Sequence, residues 1–234
     1  MGKVKVKKAD VWIDMTPMSD VMVLLLTFFM LTSTFLQKEP VTVITPSSVS
    51  EEKVPEQNLI TVLVNTDGKV FISLAGDRDS TQSSDKVRVE LLKNAVAEYN
   101  RLNPKSTISL KQSQVETFGQ IHMFGLALKD MEKWLSMSPD DRDKFIDPKE
   151  NPNCGIPIDM NDDVNKPNEF QIWMKAAYNT SNDNLQSAIK QGKGIAVKAD
   201  ATTPYSIVQV VMDNLQTLKM NKFTLLTALK TEAE

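Results

Sequence analysis

Hydrophobic residues form one continuous run near the amino terminus and several periodic segments after it. The run extends from Met18 to Leu36, and between Val21 and Leu31 it is interrupted only by Thr27. As a helix, these 19 residues would be about 28 Å long, close to the ~30 Å thickness of bilayer hydrocarbon. The pattern predicts a transmembrane helix at residues 17–37, with Thr16 and Pro17 at the helix start.

A cleaved signal peptide is the alternative interpretation, since it also joins a basic start to an apolar run. Three features favour a retained anchor: the run is long, Asp20 lies near its start, and no small-x-small cleavage motif follows it. Lysines at positions 3, 5, 7 and 8 precede the span, whereas Lys38 alone directly follows it. This asymmetry predicts a cytoplasmic amino terminus (residues 1–16). Residues from about 38 onward are then on the opposite side of the membrane from the amino terminus. In a cell with two membranes, that side is the periplasm.

Asp20 is the candidate functional residue, because an ionisable side chain inside a membrane helix is costly. Thr27 and Thr34 follow it at intervals of seven and form a polar face with it. Two structural interpretations stay open. Asp20 could lie in the first helical turn and be stabilised there by the helix dipole. The two threonine hydroxyls could bond to carbonyl groups one turn back.

The remaining periodic segments predict an α+β domain at residues 59–234, after a linker (38–58) with a short β segment at Val41–Thr45. We expect a small mixed sheet with two helices packed on one face. The predicted elements are a hairpin (59–64 and 69–74, turning at Asp67-Gly68), a helix (87–101), a strand (194–200), a helix with Thr203 as N-cap and Pro204 in its first turn, and a last strand (223–228).

Between about residues 103 and 192 the pattern is less regular. An amphipathic stripe at 118–135 and a shorter segment at 170–178 predict helices, and 138–168, rich in Asp, Pro and Asn, predicts loops. We interpret the stripe as packing surface, with partner recruitment as the alternative.

Composition and charge argue against several classes of function. The net charge of -3 gives no sign of a nucleic-acid surface. The lone Cys154 lacks a second thiol, and His122 has neither a Cys nor a second His near it, so we predict no metal site and no cofactor. The acidic clusters at 140–141 and 159–163 lack the spacing of a calcium loop. No catalytic motif is present, so we predict that the chain is not an enzyme.

Residues 13–30, with Thr16-Pro17-x-x-Asp20-Val21-Met22 at their centre, resemble the membrane helix of the ExbD/TolR family. The segment 194–228 resembles the same family through Lys198-Ala199-Asp200, Pro204-Tyr205 and Val211-Met212-Asp213. Typical members lack most of residues 103–192, which therefore form a large insertion.

The resemblance implies a single-pass protein of the bacterial inner membrane whose Asp20 carries protons. It implies as partners a pentameric ExbB/TolQ-like subunit, a second copy of this chain, a TonB-like or TolA-like envelope protein and membrane lipids. The expected function is that of an ExbD-like motor subunit that converts the proton motive force into work for transport. A TolR-like role in envelope integrity is one alternative. The other is a tethered periplasmic binding module without a proton role, which would not need Asp20.

Overall fold

The computed structural model describes residues 16–32, 41, 43–48, 55, 57–77, 83–226 and 228–229. The chain divides into two compact units, Met1–Lys38 and Glu39–Glu234. The described part of the first unit is helix α1 (Thr16–Thr32). In the described part of the chain, no helix has both the length and the apolar content needed to cross a membrane.

The second unit is a mixed α+β domain, in agreement with the predicted fold class. Its described strands are β1 (Ser47–Ser48), β2 (Leu59–Val64), β3 (Val70–Ala75), β4 (Met123–Phe124), β5 (Ile195–Ala199), β6 (Thr224–Leu226) and β7 (Ala228–Leu229). Its described helices are α2 (Ser84–Leu102), α3 (Gln112–Gly119), α4 (Met131–Leu135), α5 (Pro139–Ile146), α6 (Glu169–Tyr178), α7 (Asp183–Gln191) and α8 (Tyr205–Thr217), with a 3-10 turn at Leu128–Asp130.

A five-stranded sheet, in the order β4-β3-β2-β5-β6, organises this domain. β2 pairs antiparallel with β3, and β3 pairs antiparallel with β4. β2 and β5 are parallel, as are β5 and β6. The predicted hairpin is confirmed, and Gly68 adopts the positive φ of 74° that its turn requires. β1 and β7 form a separate short parallel pair.

One face of the sheet carries the main core. Alternate residues of β2, β3 and β5 point into it, including Val62, Ile72 and Val197, and all three are at most 1% exposed. Helices α2 and α8 contribute to the same core, as the prediction of two helices on one face requires. Helix α6 adds Phe170 and Trp173, so more helices cover this face than the sequence predicted.

The opposite face carries a smaller cluster in which Val43, Leu63, Phe71 and Cys154 are buried together. Cys154 is 2% exposed, and the pKa of its thiol is raised, mainly by burial. Its apolar surroundings are those of a cysteine that acts as a small buried apolar residue.

Residues 103–192, which the sequence analysis predicts to be an insertion, contribute to the main core. Phe118, Phe124 and Trp173 form an aromatic cluster with ring centroids 4.6–6.0 Å apart. A polar contact also joins this region to α8: the Asn214 side-chain amide donates to the Asp159 carbonyl oxygen at 2.8 Å and its oxygen accepts from Asn168 Nδ2 at 2.8 Å. Because Asn214 is fully buried, these contacts fix α8 against the insertion.

The prediction of one helix at 118–135 is wrong. Its apolar residues Phe118, Leu128 and Met131 are buried as packing surface, but they belong to α3, the 3-10 turn and α4. Gly125 lies in the segment between these elements, and only glycine fits there, since a Cβ at this position would overlap the Phe71 ring. The chain therefore passes along the sheet edge as β4 between two short helices.

Three other local predictions need correction. The predicted loop 138–168 contains α5, which begins after a Ser138 cap with Pro139 in its first turn. The predicted N-cap Thr203 lies one residue too early, because Pro204 is the N-cap of α8 and the Thr203 hydroxyl instead donates to the Asn65 carbonyl oxygen at 3.2 Å. In the β-prone segment Val41–Thr45, the described residues are not in a strand, and β1 follows at Ser47.

Candidate functional site

The surface of α1 is apolar on all sides. Its large apolar side chains are exposed to between 51% (Leu25) and 87% (Leu31). The set comprises Met18, Val21, Met22, Val23, Leu24, Leu25, Leu26, Phe28, Phe29, Met30 and Leu31. A helix with apolar residues all round is typical of a protein core or a membrane span, so this surface is suited to contacts with surroundings outside its own unit.

Asp20 is the acidic residue of this helix, and its side chain is exposed. Thr27 lies seven residues later, which in an α-helix is a rotation of only about 20° and a rise of ~10.5 Å. The two positions therefore share one helix face. Thr34 lies outside the described residues, so its place on the predicted polar face stays a prediction.

The Thr27 hydroxyl bonds within the helix. Its Oγ1 donates to the carbonyl oxygens of Val23 and Leu24, at 3.0 and 2.9 Å. This is the bonding that the structural interpretation of the threonines describes. A functional role for Thr27 on the polar face with Asp20 stays a prediction.

The described part of α1 starts at Thr16, and Pro17 follows it. Their role as the start of the membrane helix stays a prediction, as does stabilisation of Asp20 by the helix dipole.

Sequence reasoning assigned no role to a second arrangement, which we call the linker anchor: Ile44 with Asp200, Ala201 and Thr202. The Asp200 carboxylate accepts from the Ile44 backbone N–H at 2.9 Å, and the Ile44 carbonyl oxygen accepts from Ala201 N–H at 2.8 Å. These two bonds, together with the burial of Val43, hold this part of the linker on the folded domain.

Thr202 completes the linker anchor. Its hydroxyl and its backbone N–H donate to Asp200 Oδ1, at 2.7 and 2.9 Å. The pKa of Asp200 is lowered, mainly by these two bonds from Thr202 and to a lesser extent by the bond from Ile44. An Asp followed two residues later by Thr is a known turn signal, so the local turn could have been found from sequence, although its linker partner could not.

His122 lies at the junction of α2, α3 and β4, and its Nδ1 lies 3.0 Å from Arg88 Nη2. Arg88 is 4% exposed and also donates to the carbonyl oxygens of Leu74 and Gly119, both at 2.9 Å. Since the guanidinium only donates, His122 Nδ1 is the acceptor and the ring is neutral. The pKa of His122 is lowered, mainly by burial and to a lesser extent by the positive charge of Arg88. The arrangement is a structural tie between elements.

The acidic clusters show local structural contacts. Asp140 and Asp141 lie in the first turn of α5, where the helix dipole stabilises carboxylates. Asp159 accepts from the Asn168 amide at 2.7 Å. In the described ranges, no group of His, Cys, Asp and Glu side chains is arranged to hold a metal ion.

Comparison with known proteins gives a family match for part of the chain. Residues 7–121 match the model of the family described as "Biopolymer transport protein ExbD/TolR". The curated "Biopolymer transport protein ExbD" of Aquifex aeolicus (strain VF5) is 26% identical over 108 residues, which are 46% of this chain and 74% of that protein. No solved structure matches. Because the family match ends at 121, the resemblance of 194–228 stays a prediction.

Proposed function

Because residues 7–121 belong to the ExbD/TolR family of biopolymer transport proteins, we propose that this chain is the ExbD-like subunit of a proton-driven motor in the bacterial inner membrane. It couples the proton motive force to mechanical work on a TonB-like envelope protein. The name of the Aquifex relative favours the ExbD-like role over the TolR-like role. In either role the chain is a transport subunit and not an enzyme.

One observation carries this proposal: α1 presents Asp20 on a helix whose large apolar side chains are all exposed. Such a surface is stable only when lipid or other apolar helices cover it. We propose that residues 17–37, which continue beyond the end of α1, span the membrane with residues 1–16 in the cytoplasm. Residues 38–58 form the periplasmic linker and residues 59–234 the periplasmic domain.

The proposed mechanism follows from the cost of charge in an apolar environment. Ionised Asp20 favours polar neighbours, whereas protonated Asp20 is tolerated between apolar helices, so proton binding changes which neighbours α1 prefers. A charge that crosses the membrane potential changes in free energy by about 2.3 kcal/mol per 100 mV. Insertion scales give about 2.5–3.5 kcal/mol for a carboxylate at mid-helix, so the gradient is of the right order to drive the change.

Partner helices complete the proton path. One helix cannot enclose a path for protons, so we propose that α1 is surrounded by a pentameric ExbB/TolQ-like subunit and paired with α1 of a second copy. Thr27 and Thr34 would then lie on the polar face that begins at Asp20. The linker anchor would pass force into the folded domain, because it bonds the linker to the loop after β5.

The test is complementation of a strain that lacks its own copy of this gene. We expect Asp20→Asn to assemble in the membrane at normal level and to abolish energy-dependent uptake, while Asp20→Glu retains part of it. Asp162→Asn is the matched control, since it makes the same change at an exposed loop residue. Normal uptake by Asp20→Asn would remove Asp20 from the mechanism.

The same strain distinguishes the alternatives. Rescue of envelope integrity without rescue of uptake would assign the TolR-like role. Replacing Met18–Leu36 with an inert membrane anchor should abolish function in a motor. Retained function of that chimera would instead favour a tethered binding module.

A further inference from the structure

We propose that a basic groove beside the carboxyl-terminal ends of α7 and α8 binds an acidic peptide segment of a partner protein, with a large apolar side chain of that segment as its anchor. We call it the lysine groove. Its rim is formed by Lys190, Lys219 and Lys222, and its floor by Ile189, Leu218 and Met220. The proposal does not depend on proton transfer at Asp20.

The groove has the size and composition of a binding pocket. Its volume is about 490 Å³, within the usual range of roughly 300–1,000 Å³ for ligand pockets. Ile189 and Met220 are 5% and 7% exposed, so the apolar floor lies beneath the lysines. An apolar pocket within a charged rim is the arrangement that anchors interface side chains.

The charge of the groove is of one sign. Among the residues that the structure describes, no acidic side chain lines the groove, and none of its three lysines forms an ion pair. The carboxyl-terminal ends of α7 and α8 each offset roughly half a positive charge by their dipoles. About two of the three positive charges therefore remain, and an acidic ligand is the complement.

The backbone at Lys219 places this residue directly after the end of α8. Lys219 follows the Leu218 cap and has φ = 61°, in the left-handed region. Its N–H donates to the Gln216 carbonyl oxygen at 2.8 Å, and Met220 N–H donates to that of Leu215 at 2.9 Å. Glycine is the usual residue at such a helix end, because a side chain there is strained. The lysine at this position adds a positive charge to the rim of the groove.

The shape of the groove favours a peptide over a lipid surface. A protein that binds a membrane surface through apolar contacts inserts projecting side chains between the headgroups. Here the apolar residues Ile189 and Met220 are buried at the bottom of a concave site, so they cannot insert into a bilayer. An apolar side chain of a peptide can instead reach them from outside.

The experiment uses the full-length chain in a neutral detergent and a short fluorescent peptide of alternating Glu and Leu, followed by fluorescence anisotropy. We expect saturable binding that weakens as salt is added, because the rim charges become screened. The matched Lys/Leu and Glu/Ser peptides should bind much more weakly, since each lacks one half of the recognition. Equal binding of all three peptides would overturn the proposal.

Two triple variants place the binding in the groove. Lys190→Gln/Lys219→Gln/Lys222→Gln should bind the Glu/Leu peptide about tenfold more weakly, as expected for the loss of three rim charges. The control Lys105→Gln/Lys149→Gln/Lys166→Gln removes the same charge from exposed lysines elsewhere and should bind as the unaltered chain does. Equal weakening in both variants would show general electrostatic attraction and overturn the proposal.

Lys219→Gly separates binding from folding. This single change should raise the midpoint of thermal unfolding, because glycine relieves the strained conformation, and at the same time weaken peptide binding. Unchanged binding would contradict the assigned site.

A further experiment tests whether the lysine groove binds anionic lipid and not a peptide. The full-length chain in zwitterionic nanodiscs is mixed with phosphatidylglycerol vesicles, and co-flotation is measured for both triple variants. We expect equal co-flotation for the two. A selective loss in the groove variant would assign the site to anionic lipid instead of peptide and overturn the proposal.

Discussion

Helix α1 and the folded domain contain the same kinds of apolar side chain in opposite situations. In α1, Leu24 and Phe28 are 60% and 58% exposed. In the domain, Leu91 and Phe118 are fully buried. The domain satisfies its apolar surface within the chain, whereas the described residues of α1 do not. The domain therefore buries these residues through its own contacts, while the surface of α1 is suited to an apolar environment from outside its own unit.

The comparison predicts that the largest loss of folding stability comes from the domain core. Trp173→Ala should lower the free energy of unfolding by about 3–5 kcal/mol, because it removes the buried ring that packs on Phe118 and Phe124. Urea unfolding of the full-length chain in detergent, followed by circular dichroism, measures this. If Trp173→Ala does not fold, Trp173→Phe provides a milder change, since it also removes an indole N–H that has no hydrogen-bond partner in the described residues.

The matched change in α1 is Phe28→Ala. It should leave the domain unfolding free energy within about 0.5 kcal/mol of the original value, because Phe28 is exposed in its own unit. Co-purification with an ExbB/TolQ-like partner should instead decrease. The opposite pattern, a destabilised domain with normal co-purification, would contradict the contrast between α1 and the domain.

A smaller loss should follow when the insertion is separated from α8. Asn214→Ala leaves the Asp159 carbonyl oxygen and the Asn168 amide without this buried partner, so we expect a loss of about 1–3 kcal/mol. Asn165→Ala, at an exposed loop residue, should change stability by less than about 0.5 kcal/mol. Equal urea midpoints for the two variants would show that this contact does not hold the insertion in place.

The smallest effect concerns pH. Because folding lowers the pKa of His122 below its ordinary value of 6.5, the unfolded chain binds a proton more readily. The contribution of His122 to the free energy of unfolding is therefore fully present above pH 6.5. It is lost as the pH falls towards and through the lower pKa of the folded state. His122→Asn keeps an acceptor for Arg88 but does not titrate, so its stability should fall less between about pH 7 and pH 5. Parallel pH profiles would contradict this role.

Local signals determined how much of the domain could be predicted. The β2–β3 hairpin was predicted almost residue for residue, because alternating apolar positions flank an Asp67-Gly68 turn. Helix α7 was missed even though Asn182 caps its start and Gly192 ends it with φ = 90°. The sequence shows both signals. The Ser138-Pro139 start of α5 was available in the same way.

Long-range contacts could not be predicted from local patterns. The stripe at 118–135 has helical spacing, but its residues reach the core from separate elements, and the close approach of Gly125 to Phe71 between them joins residues far apart in sequence. The bond between Ile44 and Asp200 likewise joins residues that are 156 positions apart. For the candidate site, the sequence singles out Asp20 because an acid in an apolar run is unusual, whereas its proposed proton role cannot be read from one chain.

Proton flux tests the central claim most directly. The full-length chain is reconstituted with its ExbB/TolQ-like partner in liposomes that contain a pH-sensitive dye, and a proton gradient is applied. We predict flux with the unaltered chain, reduced flux with Asp20→Glu and none with Asp20→Asn, although all three complexes assemble. Undiminished flux through the Asp20→Asn complex would contradict the account.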